Sequence, residues 1–375
     1  MATRIKIVHL SSLSLDRGGT EHVILQITSS LAQLYDFDLL ATTSKEYEAR
    51  YKEICQGNVY QWGMKKTLDL PQVGNLNHLL AILRPDLVHI HDARAGLFAR
   101  PLLKIKKIPS LITVHLPPYY YQWKRFSDLR QSLYRWGDAM LNYATPTHIV
   151  YTAKTTFEYA VKKYYSPPDK SHLITNGIDL SMFDTNGNVK KHNSQVIICC
   201  IARLSPQKNI SLLIQAGVIL QEKGYDYSLW LIGDGTERGK LEKLVERKHL
   251  TAKVHFWGSK LDVSSFLRKA DIFVLPSYYE THPLAIMEAQ AAGLPCVLSS
   301  VGDHKNMISN PQCGFIFESG DVAGCAGFLE QLISSQELRV QLGNNARRKA
   351  RKEYGQETMT KKYNDLYQKL LESKT

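Results

Sequence analysis

Apolar runs rich in valine, isoleucine and leucine recur along the chain, and each is followed by a turn and an amphipathic stretch. The first half carries IKIVHL (5–10), FDLLAT (37–42), LVHIH (87–91), SLITVH (110–115) and HIVYT (148–152). The second half carries QVIICCIA (195–202), YSLWLIG (227–233), KVHFWG (253–258), DIFVLPS (271–277) and PCVLSS (295–300). Continuous apolar runs of this length suit strands buried on both faces. Helical patterns such as EHVILQITSSLAQLY (21–35), NISLLIQAGVILQEKG (209–224) and RGKLEKLVERKHL (238–250) alternate with them. Strands alternating with helices predict parallel sheets. The series runs twice, separated by the polar, turn-rich stretch 176–195, NGIDLSMFDTNGNVKKHNSQ. The expectation is an α/β chain of two doubly wound, Rossmann-like domains facing each other across a cleft, with boundaries at 1–178 and 179–355 and a terminal helix over 356–375. Tyr363, Leu366 and Leu370 stand at helical spacing in that last segment. In such sheets ligands bind beyond the carboxyl ends of the strands.

A chain of 375 residues exceeds one ordinary core, in agreement with two domains. It has no run of about 18 apolar residues, so no transmembrane helix is expected. MATRIKIVHLSSLS reads as a first strand and not as a signal peptide. Six cysteines (55, 199, 200, 296, 313, 325) form no CxxC pair; Cys199, Cys200 and Cys296 fall inside apolar runs and are expected as small core residues, which fits a reducing cytosol. The formal net charge of +12 favours an anionic partner: phosphates, nucleic acid or an acidic membrane surface.

Chemistry concentrates in SYYETHPLAIMEAQAAGLP (277–295), where Glu280 and Glu288 flank Pro283. The segment reads as strand, loop, helix and next strand. Pro283 suits the first helical position, where its missing N–H costs nothing. The amides of Leu284 and Ala285 would then point out of a helix N-terminus, where the dipole favours an anion. A diphosphate held there would leave Glu280 near one end and Glu288 near the other. Carboxylates accept strong hydrogen bonds, so a sugar and a ribose fit those places. The competing reading makes the helical acid, Glu288, part of a solvated face.

Other stretches agree. In IARLSPQKN (201–209), Arg203 and Lys208 follow a strand and would hold a diphosphate, against a plain reading as surface charges. Gly18 and Gly19 join the first strand to the first helix and let backbone approach a ligand. His9, His91 and His115 each end a strand of the first half on one rim, and His115 is the preferred functional residue. His89 and His91 share a strand face and have ligand spacing, but no cysteine or carboxylate pattern supports a metal, and none is expected. His91 and Asp92 read as a hydrogen-bonding pair lining the cleft. The acidic pair of Asp36-Phe37-Asp38 begins a strand, away from the carboxyl ends, and reads as chance.

Together these residues resemble the retaining glycosyltransferases of family 4, which have the GT-B fold. Glu280 and Glu288 match the family's E-x7-E signature, and the AQAAGLPCVLSSVGDHKNMI run after it is similar to the family's. Arg203 and Lys208 match the cationic pair, Asn176-Gly177-Ile178-Asp179 the interdomain NGID, Gly233-Asp234-Gly235 the GDG loop, and Gly18-Gly19 the glycine pair. The likeness covers nearly the whole chain. It implies that the terminal helix crosses back to the N-terminal, acceptor-side domain. It implies that Arg203 and Lys208 neutralise a leaving diphosphate, Glu280 binds sugar hydroxyls, Glu288 binds the ribose, and backbone at Gly19, Leu284 and Ala285 completes the cradle. Gly18, Gly235 and His282 join the donor site, and His115 meets the sugar near the reacting carbon. No metal or cofactor is implied, and the leaving phosphate takes the acceptor's proton. Thr281 and His282 depart from the usual residues after the first glutamate, which points to 281–283 as the place of sugar choice.

The expected reaction moves a hexose or N-acetylhexosamine from a nucleotide diphosphate sugar, UDP before GDP, to a glycan or lipid-linked acceptor in cell-envelope polysaccharide or glycoconjugate synthesis. Residues 119–136, YYYQWKRFSDLRQSLYRW, carry seven aromatics and four basic residues against one acid. As a helix, Phe126, Leu129, Leu133, Trp136 and Met140 form an apolar stripe that suits an anionic membrane interface, or else packs on its own domain. The expected place is the cytoplasm, with peripheral association at the inner face of the membrane. The alternatives are a sugar-nucleotide epimerase or phosphorylase of the same fold, although no lysine for pyridoxal phosphate is placed. A basic nucleic-acid binder is the remaining alternative, for which no recognition motif appears; no nucleic-acid partner is expected.

Overall fold

In a computed structural model of the protein, the described residues are 4–15, 19–55, 57–64, 69–115, 128–163, 165–183, 195–309 and 312–373, with side chains described outside 128–135. The chain divides into two units: Met1–Gly177 together with Gln356–Thr375, and Ile178–Gly355.

The first unit holds β1 (Lys6–Leu15), β2 (Asp36–Thr43), β3 (Val59–Gln61), β4 (Leu87–Ile90), β5 (Ser110–Val114), β6 (His148–Tyr151) and β7 (Ser171–Leu173). They pair in parallel in the order β3-β2-β1-β4-β5-β6-β7. The second unit holds β8 (Val196–Ile201), β9 (Tyr227–Ile232), β10 (Val254–Gly258), β11 (Ile272–Leu275), β12 (Cys296–Ser299) and β13 (Gly314–Phe317). These too are parallel, in the order β10-β9-β8-β11-β12-β13. Strand order therefore reverses between β1 and β4 in one unit and between β8 and β11 in the other. Such switch points are where doubly wound sheets bind ligands.

The alternation of strand side chains explains the layers. Ile7, Leu87 and Leu111 face one side of the first sheet, packed with Val23 and Ile27 of the helix Gly19–Leu31. Met359, Tyr363, Tyr367 and Leu370 of the terminal helix Gln356–Glu372 join the same cluster. Val8, Leu10, Val88 and Ile90 face the other side, against Leu76, Leu80 and Leu103. The second unit has one large cluster spanning both faces of its sheet. All six cysteines are buried and unbridged. No helix among the described residues is long and apolar enough to cross a membrane.

Two details differ from the sequence reading, and a third adds to it. The strands β3, β7 and β13 were not read from the sequence; β3 and β7 are only three residues long, too short to show as apolar runs. The strand β1 continues to Leu15, so His9 lies inside it, fully buried, and does not end it. The Asp36-Phe37-Asp38 acids are structural: Asp38 accepts from Asn58 N at 3.0 Å and lies 3.5 Å from Lys6 Nζ.

Candidate functional site

The second unit's switch point is built by the chain leaving β8 and the chain leaving β11. After β8, Arg203 is exposed, and Lys208 closes a short 3-10 turn, Pro206–Lys208. After β11, residues 276–283 form an irregular loop that leads into the helix Leu284–Ala291. Lys208 Nζ forms an ion pair with Glu280 Oε1, and both groups are largely shielded from water. Glu280 Oε1 also accepts from Ser277 Oγ at 2.8 Å. The loops are stitched together further by Tyr278 N donating to Gln207 O at 2.8 Å, and by Gln207 Nε2 donating to Tyr279 O at 3.0 Å. Glu280 is thus no solvated surface acid. A carboxylate and an ammonium held this close, short of bulk water, interact far more strongly than an exposed pair.

A layer of polar residues braces Glu280 from below. Ser277 Oγ holds its carboxylate. Ser299 Oγ, at the end of β12, donates to Ser277 O at 2.6 Å. Ser299 O in turn accepts from His304 Nδ1 at 2.8 Å, with all three side chains fully buried. Burial lowers the His304 pKa, while the nearby Glu280 carboxylate acts in the opposite direction. Gly302 seals the layer: its φ is +54°, and a Cβ there would come within 2.1 Å of Glu280 O. Only glycine allows that approach. Ser277, Ser299 and His304 were not singled out in the sequence. Ser277 lay in view beside the strand end, three residues before Glu280. Ser299 and His304 carried no comparable signal, because the pairing of β11 with β12 brings them there.

Glu288 is the fifth residue of the helix Leu284–Ala291. It is half-buried, and burial raises its carboxyl from 4.5 to about 7. It does not stand on an exposed helix face. Pro283 caps this helix with an extended ψ of 129° and does not enter it; Leu284 and Ala285 supply the first two helical amides. Their N–H groups head the helix, where orphan donors and the dipole favour negative charge. Gly235 follows β9 and lies against the chain leaving β8: a Cβ there would meet Leu204 O at 2.4 Å. Its neighbour Asp234 accepts from Gly235 N and pairs with Arg238 at 2.8 Å.

His282 departs from expectation. Its side chain is buried, with its ring 5.8 Å edge-on from Tyr354, so a sugar contact from the ring would require that packing to be undone. Within 281–283, His282 packs against Tyr354 and Pro283 leads into the helix.

In the first unit, Gly19 opens the helix Gly19–Leu31, and Gly18 lies outside the described residues. His115 directly follows β5 and is half-buried. His91 is not paired with Asp92. Asp92 instead caps the helix Ala93–Lys106, accepting from Ala95 N at 2.9 Å, and binds Ser11 and Ser12 of β1. His9, His89 and His91 offer ring nitrogens all within 4.8 Å of one another, a spacing that would admit a metal. Both nitrogens of His89 are already engaged, with Tyr367 Oη and Thr113 Oγ1 at 2.7 Å each, so a metal would have to displace one of those bonds.

Of the aromatic and basic segment 119–136, residues 119–127, Phe126 of the stripe included, lie outside the described residues. The rest belongs to the helix Asp128–Ala144. Asp138 and Asn142 turn inward: Arg100 pairs with Asp138 and donates to Asn142 Oδ1 at 2.6 Å. Trp136, Met140 and Tyr143 turn outward, 77%, 65% and 50% exposed. The stripe therefore does not pack on its own unit at Trp136 and Met140.

Residues 17–182 match the family described as Glycosyltransferase Family 4, and residues 183–349 match the glycosyl transferases group 1. Among curated proteins, the chain is 27% identical over 312 residues to the UDP-Gal:alpha-D-GlcNAc-diphosphoundecaprenol alpha-1,3-galactosyltransferase of Escherichia coli, covering 80% of this chain and 79% of that one. It is 35% identical over 139 residues to the putative glycosyltransferase EpsF of Bacillus subtilis (strain 168), about a third of each chain. Among solved structures, HepE of Anabaena in complex with UDP and glucose superposes with a TM-score of 0.81 at 17% identity, covering 98% of this chain and all of that one. That likeness establishes a GT-B fold of two doubly wound parallel sheets.

Proposed function

We propose, for a chain that belongs to glycosyltransferase family 4, that it transfers a hexose or N-acetylhexosamine from a UDP-linked donor to a glycan or lipid-linked acceptor in polysaccharide or glycoconjugate synthesis, with retention of configuration. The observation that carries this reading is the shielded Lys208–Glu280 pair at the second sheet's switch point, braced by Ser277 and set in the same unit as Arg203 and the mouth of the helix Leu284–Ala291. The E. coli relative is named for a UDP-galactose donor and a diphosphoundecaprenol acceptor, and HepE was solved with UDP. Both support UDP as the nucleotide here.

Catalysis in this reading is electrostatic. The bond between the sugar's anomeric carbon and the diphosphate breaks, and a bond from the acceptor oxygen forms on the same face. The acceptor's proton passes to the leaving phosphate. Negative charge accumulates on the diphosphate, where Arg203, Lys208 and the amides of Leu284 and Ala285 meet it, and Gly235 allows close backbone approach; Gly19 joins them by the family resemblance alone. Preorganised charge of this kind is worth several kcal/mol in a shielded site. Glu280 orients sugar hydroxyls, and Glu288 accepts from the ribose. The family resemblance alone assigns His115 the sugar near its reacting carbon. The reading assigns no metal or cofactor. The outward aromatic face of the helix Asp128–Ala144 and the +12 charge support work at the inner surface of an anionic membrane.

The test is a thermal-shift panel of UDP-glucose, UDP-galactose, UDP-N-acetylglucosamine, UDP-N-acetylgalactosamine and GDP-mannose, followed by transfer to a polyprenyl-diphosphate-linked sugar. A donor at one hundred times its Kd stabilises the native state by about 2.7 kcal/mol. Absence of any shift with all five sinks the donor reading. Release of UDP and an epimerised free sugar without an acceptor would favour the epimerase instead.

A further inference from the structure

Four histidines gather in the first unit at its own switch point, between β1 and β4. His9 and His89 are register partners on those strands, and His91 stands two residues beyond His89. The contacts form a line. His9 Nδ1 lies 2.7 Å from His91 Nε2, and His91 Nδ1 lies 3.5 Å from His115 Nε2. The rings stack along it, with interplanar angles of 20° and 16°. His89 is held beside the line by Tyr367 and Thr113 and takes no hydrogen bond from it. At the inner end, His9 Nε2 is buried with no hydrogen-bond partner among the described residues.

Burial keeps these rings neutral, with His9 lowered to about 3 and His115 to about 4, and His89 and His91 well below the ordinary histidine range. A neutral imidazole has one nitrogen that donates and one that accepts. A line of such rings therefore has a direction, and only two directions exist. In one, His9 carries its proton on Nε2 and buries an N–H with no acceptor, a rare arrangement in folded proteins. In the other, the unpartnered nitrogen is a bare lone pair, and the N–H groups of His9 and His91 both have acceptors within the line.

We propose that His9 and His91 are positioning residues that fix the tautomer of His115. His9 Nδ1–H donates to His91 Nε2, His91 Nδ1–H donates to His115 Nε2, and His115 is left with its proton on Nδ1. His115 consequently presents a hydrogen-bond donor and no basic nitrogen. A ligand atom that meets this nitrogen is then an acceptor, a sugar hydroxyl or phosphate oxygen. That last step rests on the proposed function; the tautomer does not.

The experiment is long-range 15N–1H correlation of the full chain labelled at histidine, near neutral pH and without ligand. The His115 signals are identified by their loss in His115→Asn. The expected spectrum shows His115 Nε2 as the unprotonated ring nitrogen and Nδ1 as the protonated one. His9→Asn, whose amide N–H₂ replaces the Nδ1 donor, retains that pattern. His9→Leu shifts His115 toward a mixture of tautomers. A wild-type spectrum with His115 protonated on Nε2 overturns the proposal, even where the variants fail to fold. So does one equivalent of Zn²⁺ bound by dialysed protein and lost in His9→Leu, which would make the cluster a metal site. If the tautomer is as proposed and His115→Asn still transfers sugar at the wild-type rate, the assignment of His115 to the sugar fails and the relay stands.

Discussion

Lys208 and Glu280, 72 residues apart, close on each other as an ion pair at the ends of β8 and β11. The proposed function gives the donor's diphosphate and sugar to these same two groups, and on that reading the pair opens, or shares its charges, when ligand enters. Removing one partner takes this charge pairing away from the other in a shielded place. Lys208→Met is expected to destabilise the protein by about 3 kcal/mol, and the double variant Lys208→Met/Glu280→Gln by less than the single one. Urea unfolding of the single and double variants checks this. A Lys208→Met protein as stable as wild type would mean that the pair is energetically idle.

Glu280→Gln keeps the shape and removes the charge. Transfer activity is expected to fall by about a hundredfold or more while UDP still binds, since the carboxylate serves the sugar and not the nucleotide. Isothermal titration with UDP beside a transfer assay separates the two effects. Ser277→Ala removes one hydrogen bond to that carboxylate and should cost about 1 kcal/mol in stability.

Glu288 gives a pH prediction. Its carboxyl is raised from 4.5 to about 7 by burial. Between those values the folded form holds a proton that the unfolded chain has released. The stability it contributes is complete below about pH 4.5 and is lost as pH rises to about 7, by roughly 3 kcal/mol at most. Glu288→Gln removes this dependence, so the variant gains on wild type from pH 5 to pH 8. Ionised Glu288 is also the better acceptor for a ribose hydroxyl. UDP-glucose affinity in wild type should rise across pH 6–8 and be weaker and flat in Glu288→Gln. Parallel curves for the two proteins would place the titration elsewhere.

These carboxylates were legible in the sequence because each stands near a strand end or a helix mouth, where local pattern predicts geometry. The residues that brace Glu280 were not. Ser299 and His304 reach it through strand pairing and the φ of Gly302, which no local pattern carries. His9 was misplaced for a related reason. The polar Ser11 and Ser12 mimic a strand end, yet β1 continues because Asp92 satisfies both hydroxyls. His282 stood out by contrast with the family, and its ring contact with the distant Tyr354 is carried by no local pattern.

The outward face of Trp136, Met140 and Tyr143 predicts membrane binding. The protein should float with liposomes containing anionic lipid at low salt, and Trp136→Glu should reduce the bound fraction without changing the melting temperature. A wild-type protein left wholly in the soluble fraction would count against the membrane reading.

The terminal helix has a consequence for synthesis on the ribosome. The face of the first sheet that carries Ile7, Leu87 and Leu111 is covered in part by Tyr363, Tyr367 and Leu370. The whole of Ile178–Gly355 is translated before that cover exists. At ordinary elongation rates the wait is on the order of ten seconds or more. Through it, the first-born half of the chain keeps an apolar face open, while the later-born unit has all its own strands in hand. The half begun first is therefore the half finished last, and the nascent chain is most exposed to chaperones and to aggregation during that interval.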